Sequence, residues 1–231
     1  QMRDAVYGDF RFIGTGTANG NEENCPQCTM PSSKSFAQRA IIAAALADGV
    51  SHLRGYTPCG DNEAALQVAR NLGAEISVEG NELIIKGISA SFGSLAQLRS
   101  EDGTPSEDQD GNPVLHVGES GLLTRMMIPV MAQLSSKPVT FTGEKTLLGR
   151  PLTGAKEIMD AFGAGIGSPV ISSEAEKSPA PVRVPLTVKG PLKAGRAEIS
   201  GKHGSQLISG LLMALPFAER NSSLIVHEPK S

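Results

Sequence analysis

Three segments of the sequence follow the same order of elements and begin at equal intervals. Each starts with small or polar residues, continues into a long apolar helix and ends in a short strand. The serines at the three helix starts are Ser35, Ser120 and Ser205, and the first interval equals the second. Such a long period fits a repeated supersecondary unit of several elements and is too long for a solenoid repeat.

Further elements repeat between these helix starts. The long helices are predicted to run through residues 40–46, 122–134 and 207–218, followed by strands at 50–54, 139–141 and 223–226. Shorter helices are predicted to begin at Asp61 and Arg150 and to end at Gly73 and Gly163, because glycine commonly terminates helices. A hairpin with its turn at Gly80-Asn81 and a strand at 182–188 complete the first two units. The sequence therefore predicts an α/β (α+β) fold with an incomplete third unit.

Each helix start is suited to hold an anion. The first turn of a helix exposes unpaired N–H groups and the positive end of the dipole. The first start adds Lys34 and Arg39, and the second adds Arg125. The third adds Lys202, His203 and Gln206. If the units pack side by side, the three helix starts can converge, and this predicts one site for a polyanion.

Composition excludes several other classes of site. A net charge of −3 and 4% aromatic residues argue against a nucleic-acid partner. The sequence has no apolar run long enough for a membrane span and no secretory signal, so we expect a cytoplasmic protein. Cys25 and Cys28 have the spacing of a zinc or redox pair, but no second pair completes it, and two free thiols in a loop are favoured. The phosphate loop of nucleotide-dependent kinases is also absent.

Four segments, in order, resemble the 5-enolpyruvylshikimate-3-phosphate synthases, the enolpyruvyl transferases of the shikimate pathway. They are residues 31–40, residues 118–125, Gly143-Glu144 with Arg150-Pro151, and Ser205-Gln206 with residues 211–213. In that family each of two domains contains three βαβαββ units arranged as an inside-out α/β barrel. The resemblance implies that residues 30–231 form the amino-terminal domain, after a poorly matched and partly flexible segment at 1–29. It also implies that the second domain is missing.

The resemblance further implies the reaction and its residues. The family transfers the enolpyruvyl group of phosphoenolpyruvate to the 5-hydroxyl of shikimate 3-phosphate, as a monomer and without a metal or other cofactor. Lys34, Arg150 and Gln206 are the implied catalytic residues. Lys34, Gly121 and Arg150 would contact phosphoenolpyruvate. Ser35 and Arg39 would hold the shikimate carboxylate, Gly204, Ser205 and Ser231 would face its 3-phosphate, and Gln206 would lie between the two substrates.

The sequence departs from the family pattern at three positions in or beside these motifs. Leu122 replaces a common threonine, Glu119 replaces a common asparagine, and Gly204 replaces a hydroxyl-bearing residue. These changes leave affinity and inhibitor sensitivity open.

Two other functions are alternatives. The related UDP-N-acetylglucosamine enolpyruvyl transferases have Lys-Asn where this chain has Lys34-Ser35, and typically a reactive cysteine in the loop before the matching arginine, where this chain has none. The other alternative is a non-catalytic anion-binding fragment, since the second domain carries acidic and basic catalytic groups in the family. We expect the chain alone to bind shikimate 3-phosphate weakly without turnover.

Overall fold

The fold is taken from a computed structural model, which describes residues 32–90, 95, 97–100, 102–167 and 181–228. These residues contain five α-helices interspersed with nine strands, which confirms the mixed α/β class. The helices are α1 (Lys34–Leu46), α2 (Gly60–Leu72), α3 (Gly121–Leu134), α4 (Ala155–Ala161) and α5 (Ser205–Ala214). The strands are β1 (Val50–Arg54), β2 (Glu75–Glu79), β3 (Glu82–Lys86), β4 (Val114–His116), β5 (Val139–Thr142), β6 (Gly165–Gly167), β7 (Leu186–Lys189), β8 (Arg196–Ser200) and β9 (Ser223–His227).

The first unit packs α1 and α2 together beside an antiparallel sheet of order β1-β3-β2. Leu53 of β1 pairs with Leu83 of β3, and both side chains are buried. The predicted hairpin turn is confirmed, and Gly80 adopts the positive φ of 62° that such turns require. Helix α2 ends at Gly73, which has left-handed backbone angles and donates to the last carbonyls of the helix. The sequence boundaries of this unit are therefore close to the observed ones.

The second unit forms a four-stranded sheet of order β4-β5-β7-β6, in which only the β4–β5 pair is parallel. The prediction that a helix starts at Arg150 was wrong. Leu152 instead donates its N–H to the Val182 carbonyl at 2.8 Å, and Gly154, with a left-handed φ of 81°, precedes the first residue of α4. The strand predicted at 182–188 begins later, as β7 at Leu186–Lys189, because Pro185 has no N–H to donate to a neighbouring strand.

The third unit described here consists of the parallel pair β8–β9 and the connecting helix α5. Helix α5 ends at Ala214, and a short 3₁₀ turn follows at Leu215–Phe217. The sequence prediction that this helix reaches residue 218 was wrong. Pro216 cannot donate the i→i−4 hydrogen bond that would continue an α-helix.

Helix α3 lies in the centre of the core. Its side chains are buried nearly all round, including Met126, Met127 and Val130 at 0% exposure. Helix α5 packs closely against it at Gly210, where an added Cβ would lie 2.2 Å from the Met126 carbonyl oxygen. None of the helices in the described part of the chain is both long and apolar enough to cross a membrane.

Candidate anion-binding site

The amino-terminal ends of α1 and α5 are joined by one arginine. Arg39 lies one turn into α1 and donates from Nη1 to the Ser35 carbonyl at 2.8 Å. Its Nε donates to the Ser209 Oγ at 2.9 Å, and its Nη2 reaches the Ser205 Oγ at 3.4 Å. Partial burial lowers the pKa of Arg39. A partly desolvated guanidinium between two helix starts favours a bound anion, because charge neutralisation offsets the cost of burial.

The amino-terminal end of α3 presents a second arginine. Arg125 donates from Nη1 to the Gly121 carbonyl at 2.9 Å and from Nη2 to the Pro151 carbonyl at 2.9 Å. Burial, and then the nearby Arg150 charge, lower its pKa below the ordinary value. Two cationic side chains that repel each other favour an anion between them. The Gly121 position is close to both, since a Cβ there would lie 3.0 Å from Arg125 and 4.0 Å from Arg150.

Arg150 is carried by the loop after β5. A 3₁₀ turn at Lys145–Leu147 shapes this loop, and Arg150 donates to the Thr146 Oγ1 at 3.2 Å. The guanidinium of Arg183 donates to the Gly149 carbonyl and holds the loop from the other side. The Arg150 side chain itself is exposed. It is therefore positioned at the site but accessible to a ligand.

These residues line two adjoining depressions. The first, with a volume of about 900 Å³, lies between α1 and α5, and the second, of about 480 Å³, lies between α1 and α3. Ser35, Leu122, Arg125 and Gln206 line both. The first also contains Ser33, Phe36, Arg39, Thr153, His203, Gly204, Ser205 and Ser209. The second also contains Lys34, Gln38, Asp61, Glu119, Ser120, Gly121, Thr146 and Arg150. Two anions could thus be bound side by side with a shared wall.

The structure brings the sequence-predicted residues together as two groups. Ser35, Arg39, Gly204 and Ser205 lie in the first depression, whereas Lys34, Gly121 and Arg150 lie in the second, with Ser35 and Gln206 in both. Ser231 lies outside the described residues, as do Cys25 and Cys28. The three helix starts therefore converge, although they belong to three different units.

Two carboxylates in the second depression were not predicted as site residues. Asp61, at the start of α2, accepts from Lys34 Nζ at 2.8 Å, and this hydrogen bond raises the pKa of Lys34. Glu119 accepts from Lys145 Nζ at 2.9 Å, and this hydrogen bond lowers the pKa of Glu119. In the sequence, an acidic residue in the first turn of α2 indicates only a favourable helix start. Its proximity to Lys34 depends on the packing of α1 against α2.

Comparison with known proteins decides the family. A family model described as EPSP synthase (3-phosphoshikimate 1-carboxyvinyltransferase) matches residues 26–231. The chain belongs to the EPSP synthase family. Proteins named 3-phosphoshikimate 1-carboxyvinyltransferase from Clostridium kluyveri and Clostridium novyi are 32% and 34% identical, over 86% and 87% of this chain.

Solved structures show the same fold. An EPSP synthase from Acinetobacter baumannii superposes with a TM-score of 0.65 at 24% identity, over 88% of this chain and 40% of its own. The enolpyruvyl transferase NikO from Streptomyces tendae superposes with a TM-score of 0.51 at 14% identity, over 86% of this chain and 39% of its own. The chain spans 40% and 41% of the two clostridial EPSP synthase relatives.

Proposed function

We propose that this chain supplies one face of the active site for enolpyruvyl transfer from phosphoenolpyruvate to the 5-hydroxyl of shikimate 3-phosphate. One observation carries the proposal: two adjoining depressions share Ser35, Leu122, Arg125 and Gln206, and each contains its own cationic groups. A reaction between two small anions needs two such places in contact. The family match and the named relatives support the choice of these two substrates.

We assign the first depression to shikimate 3-phosphate. Arg39 would pair with its carboxylate beside the hydroxyl of Ser35. The start of α5 would hold the 3-phosphate through N–H groups and the Ser205 hydroxyl, with Gly204 allowing close approach of the backbone. Ser231 is proposed as a further phosphate contact. Gln206 would then separate this ligand from the second one.

We assign the second depression to phosphoenolpyruvate. Arg150 and Lys34 would bind its phosphate and carboxylate, and the N–H groups at Gly121 would complete the phosphate site. In the reaction the 5-hydroxyl loses its proton as its oxygen attacks C2, and C3 gains a proton. Phosphate then leaves C2 of the tetrahedral intermediate as C3 gives up a proton, which restores the double bond. Fixed cations and N–H groups favour these steps because they stabilise the charge on the departing phosphate. Lys34, Arg150 and Gln206 are the proposed catalytic residues of this face.

The acid and base groups are proposed to come from a second domain. By resemblance, residues 30–231 form the amino-terminal domain, its units form an inside-out barrel, and closure against the second domain completes the site. Closure would also bring the two substrates into contact distance and exclude water. A monomeric cytoplasmic enzyme without a cofactor is the corresponding proposal for the whole protein.

Binding and turnover test the proposal separately. We expect calorimetry to detect weak binding of shikimate 3-phosphate to the chain alone, and a phosphate-release assay to detect turnover only after a separately made second domain is added. Arg39→Gln should abolish measurable binding, whereas Arg99→Gln should not, because Arg99 contacts the Gly103 carbonyl outside both depressions. Equal binding by the two variants would contradict the assignment. Turnover with a UDP-sugar and not with shikimate 3-phosphate would support the related transferase instead.

A further inference from the structure

A buried chain of hydrogen bonds connects the helix starts on either side of the second depression. Ser120 Oγ donates to Gln38 Oε1 at 2.6 Å, and Gln38 Nε2 donates to the Lys34 carbonyl at 3.3 Å. The same Ser120 Oγ accepts from the Leu123 N–H at 3.1 Å and so caps α3. Gln38 and Ser120 are 1% and 2% exposed. The chain thus runs from the backbone of the exposed Lys34, through two buried side chains, to the first turn of α3.

The chemistry of the groups fixes the direction of this chain. The Lys34 carbonyl is only an acceptor, so it must face the NH₂ of Gln38. The carbonyl oxygen of the Gln38 amide then faces Ser120, whose hydroxyl donates to it and accepts from Leu123. If the amide were flipped, two oxygens would face each other at the Lys34 end. A buried amide with both ends paired can adopt only this orientation, so it sets the distance between α1 and α3.

We propose that Gln38 and Ser120 are positioning residues, which hold the amino-terminal turns of α1 and α3 at the separation that a bound anion requires. Both border the second depression, together with Lys34 and Gly121. Neither is charged, and neither needs to touch the ligand. Their effect passes through the backbone of Lys34 and the capped first turn of α3. The ligand assignment rests on the proposed function, whereas the connection between the helices does not.

The chain offers a matched control at the other end of α3. Gln133 is also 1% exposed, donates from Nε2 to the Phe217 carbonyl at 2.9 Å and accepts from the Leu192 N–H at 3.2 Å. Gln38→Met and Gln133→Met therefore remove equivalent pairs of buried hydrogen bonds with similar loss of stability. Only the first pair connects the two helix starts.

Amide hydrogen exchange gives the first readout. We expect Gln38→Met to speed exchange in the first turns of α1 and α3 by about tenfold relative to Gln133→Met, because the cap of α3 loses its support. Ser120→Ala should also speed exchange in these two turns. Because it removes only a hydroxyl, it replaces Gln38→Met as the test if that variant fails to fold. The double variant should add little to either single change. Equal exchange in these turns for Gln38→Met and Gln133→Met would overturn the proposal.

Ligand binding gives the second readout. With shikimate 3-phosphate present, we expect Gln38→Met to weaken phosphoenolpyruvate binding about tenfold, as misplaced binding groups do, and Gln133→Met to leave it unchanged. Unchanged affinity in Gln38→Met would contradict the positioning role even if exchange were faster. If the unaltered chain bound neither compound, the proposed function would fail, and the exchange rates would still decide whether the two helix starts are connected.

Discussion

Replacing Gly210 by alanine tests the close approach of α5 to α3. An added Cβ would lie 2.2 Å from the Met126 carbonyl oxygen and 2.6 Å from Pro129 Cγ. Since a carbon and a carbonyl oxygen come into contact at about 3.3 Å, α5 must retreat by about 1 Å. The obstacle is backbone of a buried helix, so it cannot move aside as a flexible side chain can. The substitution should therefore destabilise the fold.

The size of this effect follows from two opposing contributions. Overpacking a tight core costs about 1–3 kcal/mol, and more where backbone is the obstacle. Alanine favours a helix over glycine by about 1 kcal/mol. With the upper value of about 3 kcal/mol for a clash with backbone, the expected net loss is about 2 kcal/mol, which for about 200 residues lowers Tm by about 4–8 °C. Retreat of α5 would also move Ser205 and Ser209 away from Arg39 and weaken the proposed binding of shikimate 3-phosphate.

Thermal melting followed by circular dichroism measures this effect against a matched control. Gly60 begins α2, and a Cβ there would have no atom within 4 Å. Gly60→Ala should therefore leave Tm unchanged or raise it by about 1–4 °C, because only helix propensity changes. A Gly210→Ala variant that melts at or above the temperature of the unaltered chain would refute the packing argument. So would equal shifts for the two substitutions.

Three further predictions concern the charges of the second depression. Asp61→Asn should lower the Lys34 pKa towards its ordinary value, because the hydrogen bond from Lys34 to Asp61 raises it; NMR titration of the lysine ε-carbons above pH 9 would measure this. Glu119→Gln should tighten the proposed phosphoenolpyruvate binding about two- to fivefold at low salt by removing a carboxylate, with Glu198→Gln as a control at an exposed position of β8. Lys145→Met should move the acid titration of Glu119 to higher pH. Lys145 lowers the pKa of Glu119 in the folded chain. The ion pair therefore stabilises the fold at pH values above the ordinary pKa of glutamate, and this stabilisation is lost as the pH falls through the lowered pKa.

Sequence reasoning predicted elements well where boundary signals are local. The ends of α2, the hairpin turn and the starts of all three long helices depend on residues adjacent in the chain, such as Gly73 and Gly80. It failed at the start of α4. Proline in the first turn is a good signal for a helix start, but here Gly154 and the hydrogen bond from Leu152 to Val182 delay the helix. That hydrogen bond joins residues that lie far apart in the sequence. No local pattern contains this information.

The candidate site was predictable as a set of helix starts but not as a set of contacts. Its lysines and arginines stand at recognisable positions in the first two units, and the third unit adds polar residues at its helix start, so residue types and spacing indicated an anion site. The pairs that shape it are Arg39 with Ser209, Lys34 with Asp61 and Ser120 with Gln38. Each joins different helices, and two of them involve neutral side chains that carry no signal of their own. Only packing reveals them.

Gly210 explains why packing and site cannot be separated in this fold. In sequence it is a helix-weakening residue inside an apolar run, and propensity alone counts it as a defect. In the fold it lets α5 approach the central helix closely enough for Ser205 and Ser209 to reach Arg39. Gln38 and Ser120 have the corresponding effect between α1 and α3. The positions of three helix starts, and hence the two depressions, therefore depend on small or neutral residues as well as on the cationic groups.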